Sequence, residues 1–155
     1  MILSKNFTLQ EFTKSVSAIR NDIDNSPNAE HIRNIQLLVK YVLQPLREGL
    51  NKPIRITSGY RSENLNKLIK GSKRSQHCKG QAADLQFKVD GVMNNKAIWD
   101  KVIELGLPFD QMINEFNYSW IHISYNHEYN RKSLLEAYKE SGKTKYKYHT
   151  IEKGL

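Results

Sequence analysis

The sequence predicts an α+β domain in which a small, mostly antiparallel sheet is flanked by helices. A long segment near residue 40 has apolar residues at helical spacing, and several later segments alternate apolar and polar residues as strands do. Turn and capping signals separate these segments. With 155 residues the chain is long enough for one domain with a real core and too short for two. We therefore predict a single domain over residues 1–155.

The N-terminal third carries helix signals. "TLQE" at 8–11 fits a capping box, which opens a short helix. Ser26 before Pro27 is a favoured order at a helix start. The apolar residues that follow predict the longest helix, at about 28–49, and Pro45 inside it is expected to kink or end it.

The central segments alternate between strand and helix patterns. "PIRITSGY" (53–60) alternates as a strand and ends in a Ser-Gly turn, and a short helix is predicted at 62–69. "AADLQFKV" (82–89) predicts a second strand, and 94–106 is an amphipathic helix that ends at Gly106.

The last third predicts a hairpin and a final helix. "DQMINEF" (110–116) and "SWIHISY" (119–125) are two strand-like runs joined by a few residues. "SLLEAYKESG" (133–142) has a capping-box start and a glycine stop, so we expect a helix there. Helices are thus predicted at both ends of the chain, with the sheet between them.

Composition excludes several classes of protein. Hydrophobic content of 39% and charged content of 26% are ordinary for a folded globular domain and argue against disorder. There is no apolar run long enough for a membrane span and no signal-peptide pattern at the start, so we expect synthesis in the cytoplasm. Cys78 is the single cysteine, which excludes an internal disulfide framework.

The net charge of +8 would attract any anionic polymer, including nucleic acid, a cell-wall polymer or a membrane surface. The basic residues are spread along the chain, and no motif that enters DNA grooves or stacks bases is present. We therefore interpret the charge as solvated surface and expect no nucleic-acid partner. The rival interpretation is a basic nucleic-acid-binding protein whose histidines are structural.

Three residues far apart in the sequence can form a metal site. In "WIHIS" (120–124), His122 lies on the face opposite the two isoleucines, and Asp84 likewise opposes the apolar side of its strand. If these strands are neighbours, both side chains project from one polar face, and His77 in the preceding loop can join them. Two imidazoles and a carboxylate suit a catalytic Zn²⁺, and we predict one ion per chain. Cys78 is a weaker candidate ligand, because adjacent residues in an extended segment point in opposite directions.

A catalytic zinc site also needs a carboxylate that takes a proton from water and passes it to the leaving amine. Glu115 is our choice, because it lies late in the first hairpin strand and the turn can return it beside His122. Asp110 and Glu128 remain alternatives.

Longer stretches strengthen this hypothesis through a family resemblance. "ITSGYRSENLN" (56–66), "SQHCKGQAADL" (75–85) and "FDQMINEFNYSWIHISY" (109–125) resemble, in order and spacing, the zinc D-Ala-D-Ala carboxypeptidase and endopeptidase family M15, in particular its phage and prophage subgroup. The resemblance covers about residues 7–140 and implies the zinc fold shared by these DD-peptidases and the hedgehog signalling domain. We expect the remainder, 141–155, to be a basic tail.

The resemblance implies roles for individual residues. The zinc ligands would be His77, Asp84 and His122, and Arg61 would bind a substrate carboxylate or polarise the carbonyl, using a planar guanidinium that lysine cannot replace. Other residues would lie near the substrate: Ser75, Gln76 and Trp120. In one respect the sequence departs from the wider family, which often places the catalytic acid three residues before the last histidine. That position is Ser119 here, and Glu115 resembles the placement in the phage-like subgroup.

The implied function is hydrolysis of amide bonds in peptidoglycan stem peptides by a monomeric enzyme. The activity could be that of a D-Ala-D-Ala carboxypeptidase or of an L-Ala–D-Glu-type endopeptidase. The expected setting is a phage or prophage endolysin, or a virion-borne enzyme for wall penetration, that reaches the cell wall after release. The alternative is a non-catalytic, zinc-containing module that binds a wall peptide or a protein.

Overall fold

A computed structural model describes residues 1–149 and confirms the α+β class, with a six-stranded sheet flanked by helices. The helices are α1 (Leu9–Thr13), α2 (Val16–Arg20), α3 (Ala29–Leu38), α4 (Gln44–Leu50), α5 (Glu63–Leu68) and α6 (Lys96–Leu105), with a π-helical turn at Val39–Leu43 and a 3-10 turn at Gln76–Lys79. The strands are β1 (Arg55–Ser58), β2 (Ala82–Gln86), β3 (Lys88–Val89), β4 (Val92–Met93), β5 (Gln111–Glu115), β6 (Trp120–Ser124), β7 (Ser133–Glu140) and β8 (Lys143–Tyr148).

The predicted long helix forms, but in three parts. It begins after Asn28, whose side-chain oxygen accepts a hydrogen bond from the backbone N–H of His31 at 2.8 Å. The π-helical turn separates α3 from α4, and the N–H of Gln44 bonds to the carbonyl of Val39. Pro45 falls in the first turn of α4, where its missing N–H is tolerated. The wider turn therefore lets the helical path continue past the proline.

The main sheet has the strand order β1-β2-β6-β5-β7-β8. All neighbouring strands are antiparallel except β5 and β7, which run parallel. The predicted hairpin is β5–β6, in which Ile113 lies opposite His122 and Glu115 lies opposite Trp120. The strands β3 and β4 form a separate two-stranded sheet.

The prediction of a helix at 133–142 is wrong, because residues 133–140 form β7. The segment contains good helix formers, but it pairs with β5 on one side and β8 on the other, and two hydrogen-bonded ladders outweigh a weak local propensity. Leu134 packs against the core, whereas Ala137 is buried on the other face. The chain therefore continues as sheet after the central strands. Of the segment expected to be a basic tail, 143–148 forms β8, and 150–155 lies outside the described residues.

One face of the sheet packs on the helices and forms the core. The central strands contribute Leu85, Met112, Ile121 and Ile123, all fully buried. Helical residues complete this core: Ile35, Leu38, Val42, Leu46, Ile98, Trp99 and Val102. Because side chains alternate along a strand, the residues between these apolar positions point to the opposite face. That opposite face carries the candidate site. Among residues 1–149, no helix has the length and apolar character that crossing a membrane requires.

Candidate metal centre and active-site cleft

The register of the central strands places Asp84 and His122 side by side. Asp84 in β2 is the direct partner of His122 in β6, and Ser58 in β1 lies opposite Asp84 on its other side. Directly opposite residues on neighbouring strands project from the same face. The alternation in the sequence therefore correctly predicts a shared polar face, and the strand order supplies the contact.

His77 reaches this face from the 3-10 turn. The Ser75 hydroxyl oxygen accepts a hydrogen bond from the backbone N–H of His77 at 3.2 Å and caps the turn. The turn ends at Gly80, which has φ +76°, and a Cβ there would lie 2.5 Å from the backbone oxygen of His31. Only glycine fits both the dihedral angle and the space, so the turn is packed closely on α3. His77, which this turn carries, is buried and only 2% exposed.

The three predicted ligands converge. His77 Nε2 lies 3.3 Å from Asp84 Oδ1, and His122 Nδ1 lies 3.1 Å from the same oxygen. One ligand atom from each residue lies within 4.8 Å of the others. Among residues 1–149 this is the one group of three or more such side chains with that spacing.

The chemistry of the donor set fits a cation. His77 Nδ1 lies 2.6 Å from the carbonyl oxygen of Gly59, so Nδ1 carries the proton and donates it. Nε2 then holds a lone pair, is buried, and has no hydrogen-bond partner among the described residues. The Asp84 carboxylate oxygen that lies 3.3 Å away is also an acceptor. A cation held by these residues would satisfy both lone pairs, and a backbone carbonyl on the second nitrogen is the usual orienting partner of a metal-bound histidine.

The charges of these groups favour metal binding. Burial alone would raise the pKa of the Asp84 carboxyl, but the imidazoles of His77 and His122 hold it well below its usual range. Burial lowers the pKa of the His77 imidazole and outweighs the opposing effect of the Asp84 carboxylate. Near neutral pH the acid is therefore ionised and His77 is neutral, which are the forms that bind a metal ion.

Arg61 lies next to this cluster and is held in place. Its Nε donates to the Ser58 hydroxyl at 3.3 Å and one terminal nitrogen donates to Asn66 Oδ1 at 3.1 Å. The other terminal nitrogen lies 3.8 Å from Asp84 Oδ2. The side chain is mostly buried but lines the cleft beside the cluster, so its plane is fixed and its remaining N–H groups can bind an anion there.

Glu115 occupies the same face as His122, because its partner Trp120 is two residues before that histidine. The residue is only 8% exposed. Burial raises the pKa of its carboxyl to about 7, with the Asp84 carboxylate adding to the shift and His122 opposing it. A carboxyl with a pKa near neutrality can both accept and return a proton at working pH.

The two alternative acids have other environments. Asp110 is buried and accepts two side-chain hydrogen bonds from Arg131, at 2.9 and 3.0 Å, and another from Gln76 at 3.0 Å. Burial would raise the pKa of Asp110, but the hydrogen bonds from Arg131 lower it. Glu128 is strongly exposed and lies beside His127. Glu115 therefore has the environment that proton transfer requires, whereas Asp110 is held as a structural anion.

The remaining predicted residues all line the cleft. Ser75 caps the turn that carries His77, and Gln76 uses its amide nitrogen to hold Asp110. The ring centroid of Trp120 lies 5.5 Å from that of Phe116, which also lines the cleft.

The cleft has a volume of about 570 Å³ and contains the three candidate ligands, Arg61 and Glu115. Sequence reasoning missed part of its wall. Thr144 and Tyr146 of β8 line it, as do Lys70 and Arg74 of the loop before His77. The alternation of "KTKYKY" (143–148) was an available strand signal, but nothing in it indicated which surface the strand would face.

A comparison with protein families agrees with this geometry. A family model described as "Peptidase M15" matches residues 5–124, about three quarters of the chain. The chain belongs to the peptidase M15 family. The match contains the three candidate ligands together with Arg61 and Glu115, and it ends at the last residue of β6. No curated protein matches the chain. Membership in peptidase M15 supports peptidase activity, and the expectation drawn from the sequence motifs is confirmed at the level of the family.

Proposed function

We propose that the protein is a zinc peptidase that hydrolyses amide bonds in peptidoglycan stem peptides. The observation that carries the proposal is the convergence of His77, Asp84 and His122 in a cleft of an M15 peptidase, with a buried carboxyl of raised pKa beside them. When bound, Zn²⁺ supplies Lewis acidity toward a peptide carbonyl and makes water more acidic.

The protein's own residues perform the remaining steps. Glu115 takes a proton from the attacking water and returns it to the leaving amine, and its pKa near 7 suits both transfers. Arg61 binds a carboxylate or the carbonyl oxygen of the peptide, using a guanidinium that Ser58 and Asn66 hold in one plane. The walls of the cleft contact the rest of the peptide, including Ser75, Gln76 and Trp120. The expected setting is a phage or prophage lysin, acting as a single-domain monomer.

The matched variants Glu115→Gln and Glu128→Gln test this proposal. Zinc-loaded wild-type protein should release defined fragments from purified peptidoglycan, and their masses would identify the bond cleaved. Glu115→Gln should abolish cleavage and retain the metal, because glutamine keeps the shape but cannot take a proton. Glu128→Gln should remain active, because Glu128 is exposed and lies outside the cleft lining.

Two outcomes would contradict the proposal. If Glu115→Gln cleaves as fast as wild type, the proton-transfer role of Glu115 is wrong. If zinc-loaded wild type binds peptidoglycan but releases no peptide, the protein is a binding module that retains the metal without cutting.

A further inference from the structure

Strand β8, which pairs with β7, forms part of one wall of the cleft, although it lies beyond the residues that match the family. The match ends at residue 124, whereas β8 spans Lys143–Tyr148. Thr144 and Tyr146 line the same cavity as His122 and Glu115. The substrate-facing surface therefore includes a part of the chain to which no role has been assigned.

The register of the sheet aligns Tyr146 with the proposed proton-transfer residue. Trp120 is opposite Glu115, Glu115 is opposite Ala137, and Ala137 is opposite Tyr146. These four residues form one row on one face of the sheet. Neighbouring strands are about 4.8 Å apart, so the Tyr146 backbone is roughly 10 Å from that of Glu115.

Ala137 lies between Glu115 and Tyr146 in this row. Ala137 carries a single methyl group and is 1% exposed, so no bulky side chain stands between Glu115 and Tyr146. The long tyrosine side chain can extend over Ala137, and Tyr146, which is 55% exposed, lines the cleft. Tyr146 therefore forms part of the cleft wall in the same row as Glu115, and a peptide bound beside Glu115 would lie next to it.

The Tyr146 hydroxyl is a hydrogen-bond donor near neutral pH. Burial raises the pKa of the Tyr146 phenol, and the carboxylates of Glu115 and Asp84 raise it further. The phenol therefore stays protonated near neutral pH. The carboxylates of the site raise its pKa, although β8 lies two strands away from β5, which carries Glu115.

We propose that Tyr146 is a substrate-contacting residue whose hydroxyl donates a hydrogen bond to a backbone oxygen of the bound stem peptide, on the Glu115 side of the cleft. This inference rests on the proposed function, because it names a contact of that same substrate. Loss of one neutral hydrogen bond should weaken binding about three- to tenfold.

Tyr146→Phe and Tyr148→Phe form a matched pair for the test. Both tyrosines are on the same face of β8, but Tyr148 is 81% exposed and lies outside the cleft lining. Each change is made in zinc-loaded Glu115→Gln protein, so that binding is measured without turnover. The ligand is a synthetic pentapeptide stem that contains both an L-Ala–D-Glu and a D-Ala–D-Ala bond, and calorimetry gives its affinity.

The expected result is a three- to tenfold weaker affinity for Tyr146→Phe and an unchanged affinity for Tyr148→Phe. In otherwise wild-type protein the same Tyr146→Phe change should raise KM more than it lowers kcat. Equal affinities of the two variants overturn the inference, and so does the absence of any binding by the Glu115→Gln parent. Cleavage by wild-type protein decides the proposed function separately, so the two can fail independently.

Discussion

The burial of Glu115 predicts that the carboxylate destabilises the metal-free fold, and that Glu115→Gln relieves this. Burial raises the pKa of this carboxyl from 4.5 to about 7. A carboxyl whose pKa is higher in the folded state favours folding below its unfolded pKa, and that contribution is lost as the pH rises through the folded pKa. A shift of this size corresponds to about 3 kcal/mol, and solvent in the open cleft reduces it to about 2 kcal/mol.

Urea denaturation of the metal-free proteins measures this contribution. At pH 8 Glu115→Gln should be about 2 kcal/mol more stable than wild type, because its amide carries no charge to desolvate. At pH 4 the two should have nearly equal stability, since Glu115 is then neutral in the folded chain and mostly neutral in the unfolded chain. Comparing the variants at each pH cancels the titration of the groups that do not interact with Glu115. A stability difference that is the same at pH 4 and pH 8 would refute the reasoning.

Three further substitutions have distinct expected effects. Arg131→Ala leaves Asp110, which is only 4% exposed, without its guanidinium partner. In urea titrations this change should lower the free energy of unfolding by about 2 kcal/mol, and zinc affinity should not change. Undiminished stability would show that the ion pair contributes nothing. Gly59→Ala would place a Cβ 2.6 Å from the Phe12 backbone and would move the carbonyl that orients His77. Zinc affinity, measured by calorimetry, should therefore fall about tenfold, and an unchanged affinity would contradict that orienting role. Arg61→Lys retains the positive charge but loses the planar guanidinium that Ser58 and Asn66 hold in place. The rate of peptide cleavage should fall at least about tenfold while the metal content stays the same. Wild-type kinetics would exclude recognition of the substrate by the planar guanidinium.

Two members of the candidate metal site could be predicted from the sequence because they obey strand periodicity. His122 alternates with two isoleucines and Asp84 with Leu85, so their shared face could be predicted before their contact was known. The contact of His77 with Gly59 could not, because it depends on how the 3-10 turn packs against β1 and α3. The sequence motifs indicated which residues belong together, and the tertiary structure determined how each one is oriented.

The end of the chain shows where local signals fail. "SLLEAYKESG" has the residues and caps of a helix, yet β5 offers an unpaired edge that β7 fills. This misinterpretation also concealed the part of the cleft wall that β8 forms, because a helix at 133–142 would not have placed Tyr146 in the same row as Glu115. Pairing between strands distant in sequence decided the outcome, and single-segment patterns carry no information about it.

Zinc titration of the metal-stripped protein, followed by calorimetry, tests the metal centre most directly. Wild-type protein should bind one Zn²⁺ per chain, and His77→Ala, Asp84→Ala and His122→Ala should each weaken binding sharply. His127→Ala should bind as wild type does, because that histidine lies outside the cluster. Stoichiometric binding that survives all three ligand substitutions, or a wild-type protein that takes up no zinc, would contradict the proposed centre.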